Sequence, residues 1–316
     1  MRSLNLKHLE FRSAERIMFN VSLFALFIDL FLVFWKSSNI DWLAYGGVTA
    51  FTVVLLAIGS VYRLLNRSER IAAALVGTAG LMFFSMVMSL FNYLLLPIVR
   101  APIDHQLAAI DAMFGFYWPH AMQIAAHYPM ITTILKVAYL STLPQLAVLI
   151  VVLGLSGRHR DMHVLLLAVV VTATLAICFW GLFPSLGAKS LYQLPPAIWA
   201  AVAPVVDQSY AEALKRMAID GPGLISPNEI RGLIAFPSYH ASLAFIALYS
   251  SRNLKYVFPI FLVLNVLIIP ATFVHGGHHL IDPFAGMILF ALGVLCAKRF
   301  VDAEYKKTGA VEIMPI

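Results

Sequence analysis

The chain is 316 residues long, 61 % hydrophobic and only 12 % charged, with a formal net charge of +6. That balance excludes an ordinary soluble domain, in which about 25 % of residues are charged. It also excludes a nucleic-acid footprint, because the basic residues flank apolar runs instead of forming a stripe interleaved with aromatic side chains. The pattern predicts an all-α, polytopic transmembrane bundle, since about 20 apolar residues in a helix cross a hydrocarbon core.

Eight spans are expected in chain order, at about 17–35, 42–62, 71–98, 129–154, 162–184, 237–251, 257–274 and 280–297. The polar start, Met1 to Arg16, meets the first span without a small-residue cleavage site, which reads as an uncleaved insertion signal. The sixth span is the shortest. It covers roughly 22 Å of a core about 30 Å thick, and crosses only if its start lies in a water-accessible pocket. The whole is expected to be one integral membrane domain, 1–316. It comprises three N-terminal spans (17–98), an interfacial segment (99–128) and a five-span catalytic core (129–300) with a long loop at 185–235.

In the interfacial segment, Asp104, Leu107, Ile110, Asp111 and Phe114 have helical spacing. In the 185–235 loop, Pro195, Pro196, Gly221, Pro222, Gly223 and Pro227 leave room for one helix, at about 205–218. Cys178 and Cys296 fall in apolar spans and read as small packing residues. Asp29 and Lys136 also lie within spans, where charge is costly. Asp29 is expected to pair within the bundle and Lys136 to snorkel, unless either serves function directly.

Fifteen of the 22 Lys and Arg residues sit at one set of span ends, among them Arg2, Lys7, Arg12, Arg63 and Lys307. Six sit at the other: Lys36, Arg100, Lys189, Lys215, Arg216 and Arg231. The excess places both termini in the cytoplasm. It then puts two histidine-bearing motifs, Phe236-Pro-Ser-Tyr-His240 and His275-Gly-Gly-His-His-Leu-Ile-Asp282, together on the non-cytoplasmic side.

Those motifs carry the chemistry. His278 and Asp282, four residues apart, share a face if the last span begins near them. A carboxylate on one ring nitrogen fixes the tautomer and raises the basicity of the other, as a histidine nucleophile requires. Gly276 and Gly277 allow close approach. His240 opens a helix whose free N–H groups suit a phosphate. Ser238 is there as a cap or a phosphate donor, and His240 as a proton donor to the leaving oxygen. Three other readings use the same residues. The histidines pack at the interface; or His275, with His278 or His279 and Asp282, binds zinc in a histidine-gated metal or ion transporter; or Ser238 and His278 form a serine hydrolase.

Pro-Ser-x-His followed by His-x-x-x-Asp resembles the last two signature motifs of the type-2 phosphatidic acid phosphatase superfamily. Phe236–Ala241 and Gly277–Gly286 are similar to its inositolphosphotransferase-like branch, which includes inositol phosphorylceramide synthases. So are Arg100-Ala-Pro-Ile-Asp104 with Asp111, Phe114–Trp118, Tyr139–Gln145 and Leu182-Phe-Pro184. The resemblance implies metal-independent, two-step transfer without a cofactor: His278 attacks phosphorus, Asp282 orients it, His240 serves the leaving group and Ser238 helps to bind phosphate. The superfamily's phosphatases carry Ser-Arg where this chain has Ala271 and Thr272, and Lys-x6-Arg-Pro where Lys189 is followed by Pro196 and Ala197. Phosphate charge is then left to Lys189, Arg231 and Arg100. Position 279, commonly Tyr in the branch, is His279 here and is a candidate for tuning the substrate.

The expected function is that of a lipid phosphatase or phosphotransferase, with a preference for head-group transfer. Its substrate is a phospholipid or prenyl phosphate, its setting the bilayer of a bacterial inner membrane with the site facing the periplasm or exterior. Homo-oligomers are allowed for, and no nucleic acid is involved.

Overall fold

The computed structural model describes residues 11–308, so Arg2 and Lys7 and most of the polar start lie outside the described residues. The helices follow in order as α1 (Ser13–Lys36), α2 (Trp42–Leu64), α3 (Glu69–Leu94), α4 (Asp104–Met113), α5 (Trp118–Ala126), α6 (Pro129–Leu140) and α7 (Thr142–Leu155). Then come α8 (His159–Leu182), α9 (Ala188–Leu191), α10 (Pro196–Val202), α11 (Gln208–Asp220), α12 (Tyr239–Ser251), α13 (Val257–Gly276) and α14 (Ile281–Thr308). A two-residue parallel pair, β1 (Asn39–Ile40) with β2 (Leu224–Ile225), is the departure from a purely helical fold among the described residues.

Six helices, α1, α2, α3, α8, α13 and α14, are long and apolar enough to cross a membrane. A seventh crossing counts α6 and α7 as one span, bent by 45°. The bend has a local cause. Pro144 has no N–H for the Leu140 carbonyl, and the Ser141 and Thr142 hydroxyls take up the Ala138 and Tyr139 carbonyls at 2.7 and 2.9 Å. The expected sixth span is α12, only 13 residues long and so roughly 20 Å. Its Ala241, Leu243, Ala244, Ile246 and Ala247 are buried, and it packs among α8, α13 and α14. α3 stops at Leu94, short of the expected 98, where Lys36 Nζ takes the Leu94 and Leu96 carbonyls at 2.6 and 2.9 Å. The interfacial segment holds two helices, α4 and α5, and the 185–235 loop holds three in place of the one expected: α9, α10 and α11, the last capped by Asp207, which accepts from Tyr210 N at 2.8 Å.

The core forms around α8, whose apolar stretch is 72 % buried, against 22 % for α1 and 17 % for α2. Small residues let helices close on it. A Cβ at Gly293 of α14 would lie 2.3 Å from Thr172 Cγ2 of α8, and one at Gly154 of α7 would lie 2.8 Å from Ala74 of α3. In an apolar solvent such contacts, not apolar burial, drive helix association. Phe24, Phe27, Phe31, Phe34 and Trp35 of α1 face outward instead. So do Cys178 and Cys296, which are free and exposed on α8 and α14 and not the packing residues expected. At the end of the bundle where α1 begins and α14 ends, Ser13 N donates to Glu304 at 2.8 Å. There Arg63 of α2 bridges buried Glu15 of α1, at 2.9 and 3.0 Å, to Glu69 of α3, at 3.1 and 3.0 Å. Asp29 corrects another expectation: it is fully buried and neither carboxylate oxygen has a hydrogen-bond partner among the described residues. Lys136 Nζ donates to the Ala203 carbonyl at 3.1 Å.

Candidate active site

The two histidine motifs meet at the opposite end of α14. α13 closes at Gly277, whose left-handed conformation (φ +65°) lets its N–H return to the Thr272 carbonyl. The His278 N–H reaches the same carbonyl at 3.3 Å. This tight turn swings His278 back toward α14, where its Nδ1–H donates to Asp282 Oδ2 at 2.9 Å. The same oxygen accepts from the His279 N–H at 3.0 Å. One further bond joins the motifs: Ser238 N donates to the Asp282 backbone carbonyl at 3.1 Å. Gly286 makes that approach possible, because a Cβ there would lie 2.4 Å from the Ser238 carbonyl. Asp282 thus touches both halves of the site.

Ser238 has the geometry of a helix cap, its Oγ accepting from Ala241 N at 3.3 Å. His240, the second residue of α12, is half-buried and stacks on Tyr139 of α6, ring centroids 4.4 Å apart and planes at 16°. The Tyr139 hydroxyl and His278 Nε2 come within 3.2 and 3.1 Å of the one point where a Cβ on Gly276 would sit. Glycine at 276 therefore keeps a small space open between the phenol and the free ring nitrogen.

Lys189, on the one-turn helix α9, is the cation that reaches this space. Its backbone N–H donates to Gly277 O at 3.3 Å and its Nζ to Gly276 O at 3.0 Å. Gly187 (φ +87°) admits it, since a Cβ there would lie 2.6 Å from Gly277 O and 3.1 Å from Lys189 Nζ. Burial pushes the Lys189 ammonium down to about 8, opposed by the carboxylates of Asp104 and Asp282. Burial, then the charge of Lys189, also pushes the His278 imidazole down. A neutral ring whose Nδ1 proton is held by Asp282 presents its lone pair at Nε2.

His279 points the other way. Its ring is fully buried between two carboxylates of α4, Nδ1 at 3.0 Å from Asp111 Oδ2 and Nε2 at 3.5 Å from Asp104 Oδ1. Burial works against its charge, but Asp104, Asp282 and Asp111 together hold its pKa above the usual value. Arg100 is exposed and donates to the Leu182 carbonyl at 3.1 Å. The Arg231 guanidinium lies 4.9 Å over the Tyr210 ring. The charge of Lys189 acts on both His278 and His240, and among the described interactions neither arginine's does, so of the three cations expected to meet phosphate Lys189 is the one beside the histidines.

The ligand set expected for zinc does not converge. His275 Nε2 lies 2.8 Å from the Thr132 carbonyl while His279 lies between its two aspartates, and no group of three or more His, Cys, Asp or Glu among the described residues is arranged to hold a metal ion.

A family model described as the PAP2 superfamily matches residues 105–296. The chain belongs to that superfamily. Searches of the curated proteins and of the solved structures each return no match. Superfamily membership and the long apolar helices together make this a membrane protein of phosphatase type. At the two positions where the superfamily resemblance looks for Ser-Arg, Ala271 and Thr272 are wholly buried in α13, and Thr272 serves to close the turn before His278.

Residue-by-residue reading of the motifs does not find Asp104, Asp111 and Tyr139 as members of the site. Their segments carry a family likeness, but their partners lie far along the chain: His279 is 175 positions from Asp104 and 168 from Asp111, and His240 is 101 from Tyr139. Helical periodicity ranges over a few turns and does not see such pairs.

Proposed function

We propose that the protein is a membrane lipid phosphatase or phosphotransferase that works through a phosphohistidine on His278. The observation that carries this reading is the double use of Asp282, which holds His278 Nδ1 through its carboxylate and the His240 helix through its backbone carbonyl. In the first step Nε2 of His278 attacks phosphorus, the bond to the leaving oxygen breaks, and His240 gives that oxygen a proton. In the second, His240 takes a proton from the acceptor, the acceptor oxygen attacks phosphorus, and the P–N bond breaks to restore His278. Lys189 meets the charge on the phosphoryl oxygens. No step calls for a metal or a cofactor.

The acceptor decides the class: water makes a phosphatase, an alcohol a transferase. The likeness of Phe236–Ala241 and Gly277–Gly286 to the inositolphosphotransferase-like branch favours transfer of a phospho-head group from a phospholipid. The distribution of Lys and Arg favours a site on the non-cytoplasmic face with both termini in the cytoplasm, and the setting fits a bacterial inner membrane.

Trapping with a ³²P-labelled phospholipid tests the mechanism. An acid-labile, base-stable label on the parent, absent from His278→Ala, is expected, and His240→Ala, which lacks the proton donor of the first step and the base of the second, should both label and turn over more slowly. A parent that neither labels nor releases or transfers a head group from any phospholipid or prenyl phosphate would sink the proposal.

A further inference from the structure

α4 is a ten-residue helix outside the spanning bundle, yet its two acidic residues reach both halves of the catalytic turn. Seven positions apart, they lie on one face two turns apart. Asp104 accepts from Ser185 Oγ at 2.6 Å, Leu186 N at 2.9 Å and Gly187 N at 2.8 Å. Those are the residues that turn the chain into Lys189. Asp111 accepts from Leu280 N at 3.1 Å and Ile281 N at 3.3 Å, and these begin the helix that carries Asp282. Between the two carboxylates lies the His279 ring, adjacent in sequence to His278. All three side chains are buried.

We infer that Asp104, Asp111 and His279 form a clamp of positioning residues, through which α4 sets His278 Nε2 and Lys189 Nζ against each other. The physics requires all three. Two buried carboxylates on one helix face repel unless a proton or a cation lies between them, and the His279 ring, 3.0 Å from Asp111 and 3.5 Å from Asp104, lies there. Backbone amides that begin a helix or a turn need acceptors, and each carboxylate supplies them to a different segment. Lys189 and the His278–Asp282 pair come from parts of the chain some ninety residues apart, and the clamp gives them a common reference. His279 is then committed to α4, and its part in substrate choice is indirect.

The inference rests on His278 as the attacking group, so its test has two readouts. In detergent-solubilised full-length protein, Asp104→Asn, Asp111→Asn and His279→Gln should each lower kcat on the order of 10- to 100-fold with little change in KM, because they shift the reacting groups and not the lipid seat. The double variant Asp111→Asn/His279→Gln should lose less than the product of the singles. Gln106→Ala, on the exposed face of α4, should leave the rate unchanged. Hydrogen–deuterium exchange should rise at 278–282 in Asp111→Asn and at 185–189 in Asp104→Asn, with the spanning helices unaffected. Unchanged kcat and unchanged exchange would overturn the clamp, as would exchange that rises evenly over the chain. If the parent is no faster than His278→Ala, the phosphohistidine reading fails. The clamp then stands or falls on whether exchange rises at those two segments.

Discussion

A lysine buried beside a histidine is a costly arrangement, and Lys189 accepts that cost in a chain that has Pro196 and Thr272 at the two positions where the superfamily resemblance looks for arginine. The difference has a measurable consequence, because an arginine stays charged at any working pH while Lys189 is held down to about 8. A lysine with a lowered pKa is charged below that value and neutral above it. If its charge holds the phosphoryl group, kcat/KM falls as pH rises through about 8. Lys189→Arg should move that alkaline limb upward, and Lys189→Met should remove most activity at every pH. A Lys189→Arg profile that superimposes on the parent would assign the limb to another group, with His279 next in line. Tyr139 bears on the same space from the other side, since its ring fixes the plane of His240 while its hydroxyl faces the gap beside His278 Nε2.

Among the elements, α12 is the one whose placement matters most and whose length explains least. At 13 residues it owes its position to neighbours, and its N-terminus is located by one hydrogen bond to Asp282 and one close contact at Gly286. Gly286→Ala puts a methyl group 2.4 Å from the Ser238 carbonyl oxygen, and α12 and α14 must part. A displacement near 1 Å of groups that must align costs on the order of 100-fold in rate, and kcat is expected to fall by about that factor. Gly46→Ala in α2, where a Cβ meets nothing within 4 Å, is the matched control and should keep full activity. Equal activities for the two variants would show that the α12–α14 approach is not what aligns His240 with His278.

The whole molecule divides its polar investment between two ends. At the site end buried charges sit on the catalytic turn, α4 and α9; at the other, Glu15, Arg63 and Glu69 tie the first three helices together and buried Asp161 of α8 pairs with Arg158. Removing one partner of a buried ion pair strands the other, at a cost of about 3–5 kcal/mol. Arg63→Met should therefore lower the thermal midpoint sharply while kcat per folded molecule, measured well below that midpoint, stays as in the parent. A loss of kcat without loss of stability would mean that the far end communicates with the site.

The helical membrane architecture, the positions of the long helices and the two histidine motifs are all legible along the chain. Each depends on local properties: runs of apolar residues about as long as a bilayer is thick, and residue types at fixed short spacing. His278 with Asp282 belongs to this class, being a contact within one turn. What only the tertiary structure decided are the contacts that cross long stretches of chain. They are the Ser238–Asp282 hydrogen bond, the Tyr139–His240 stack, the seating of Lys189 on the Gly276 carbonyl, and the hold of Asp104 and Asp111 on His279. Arg100 and Arg231 look as suitable as Lys189 in the sequence, since charge alone does not say which cation a fold carries inward. Gly187 and Gly277 leave room for Lys189 beside the histidine turn, and that room comes into being only when α9, α13 and α14 have packed together.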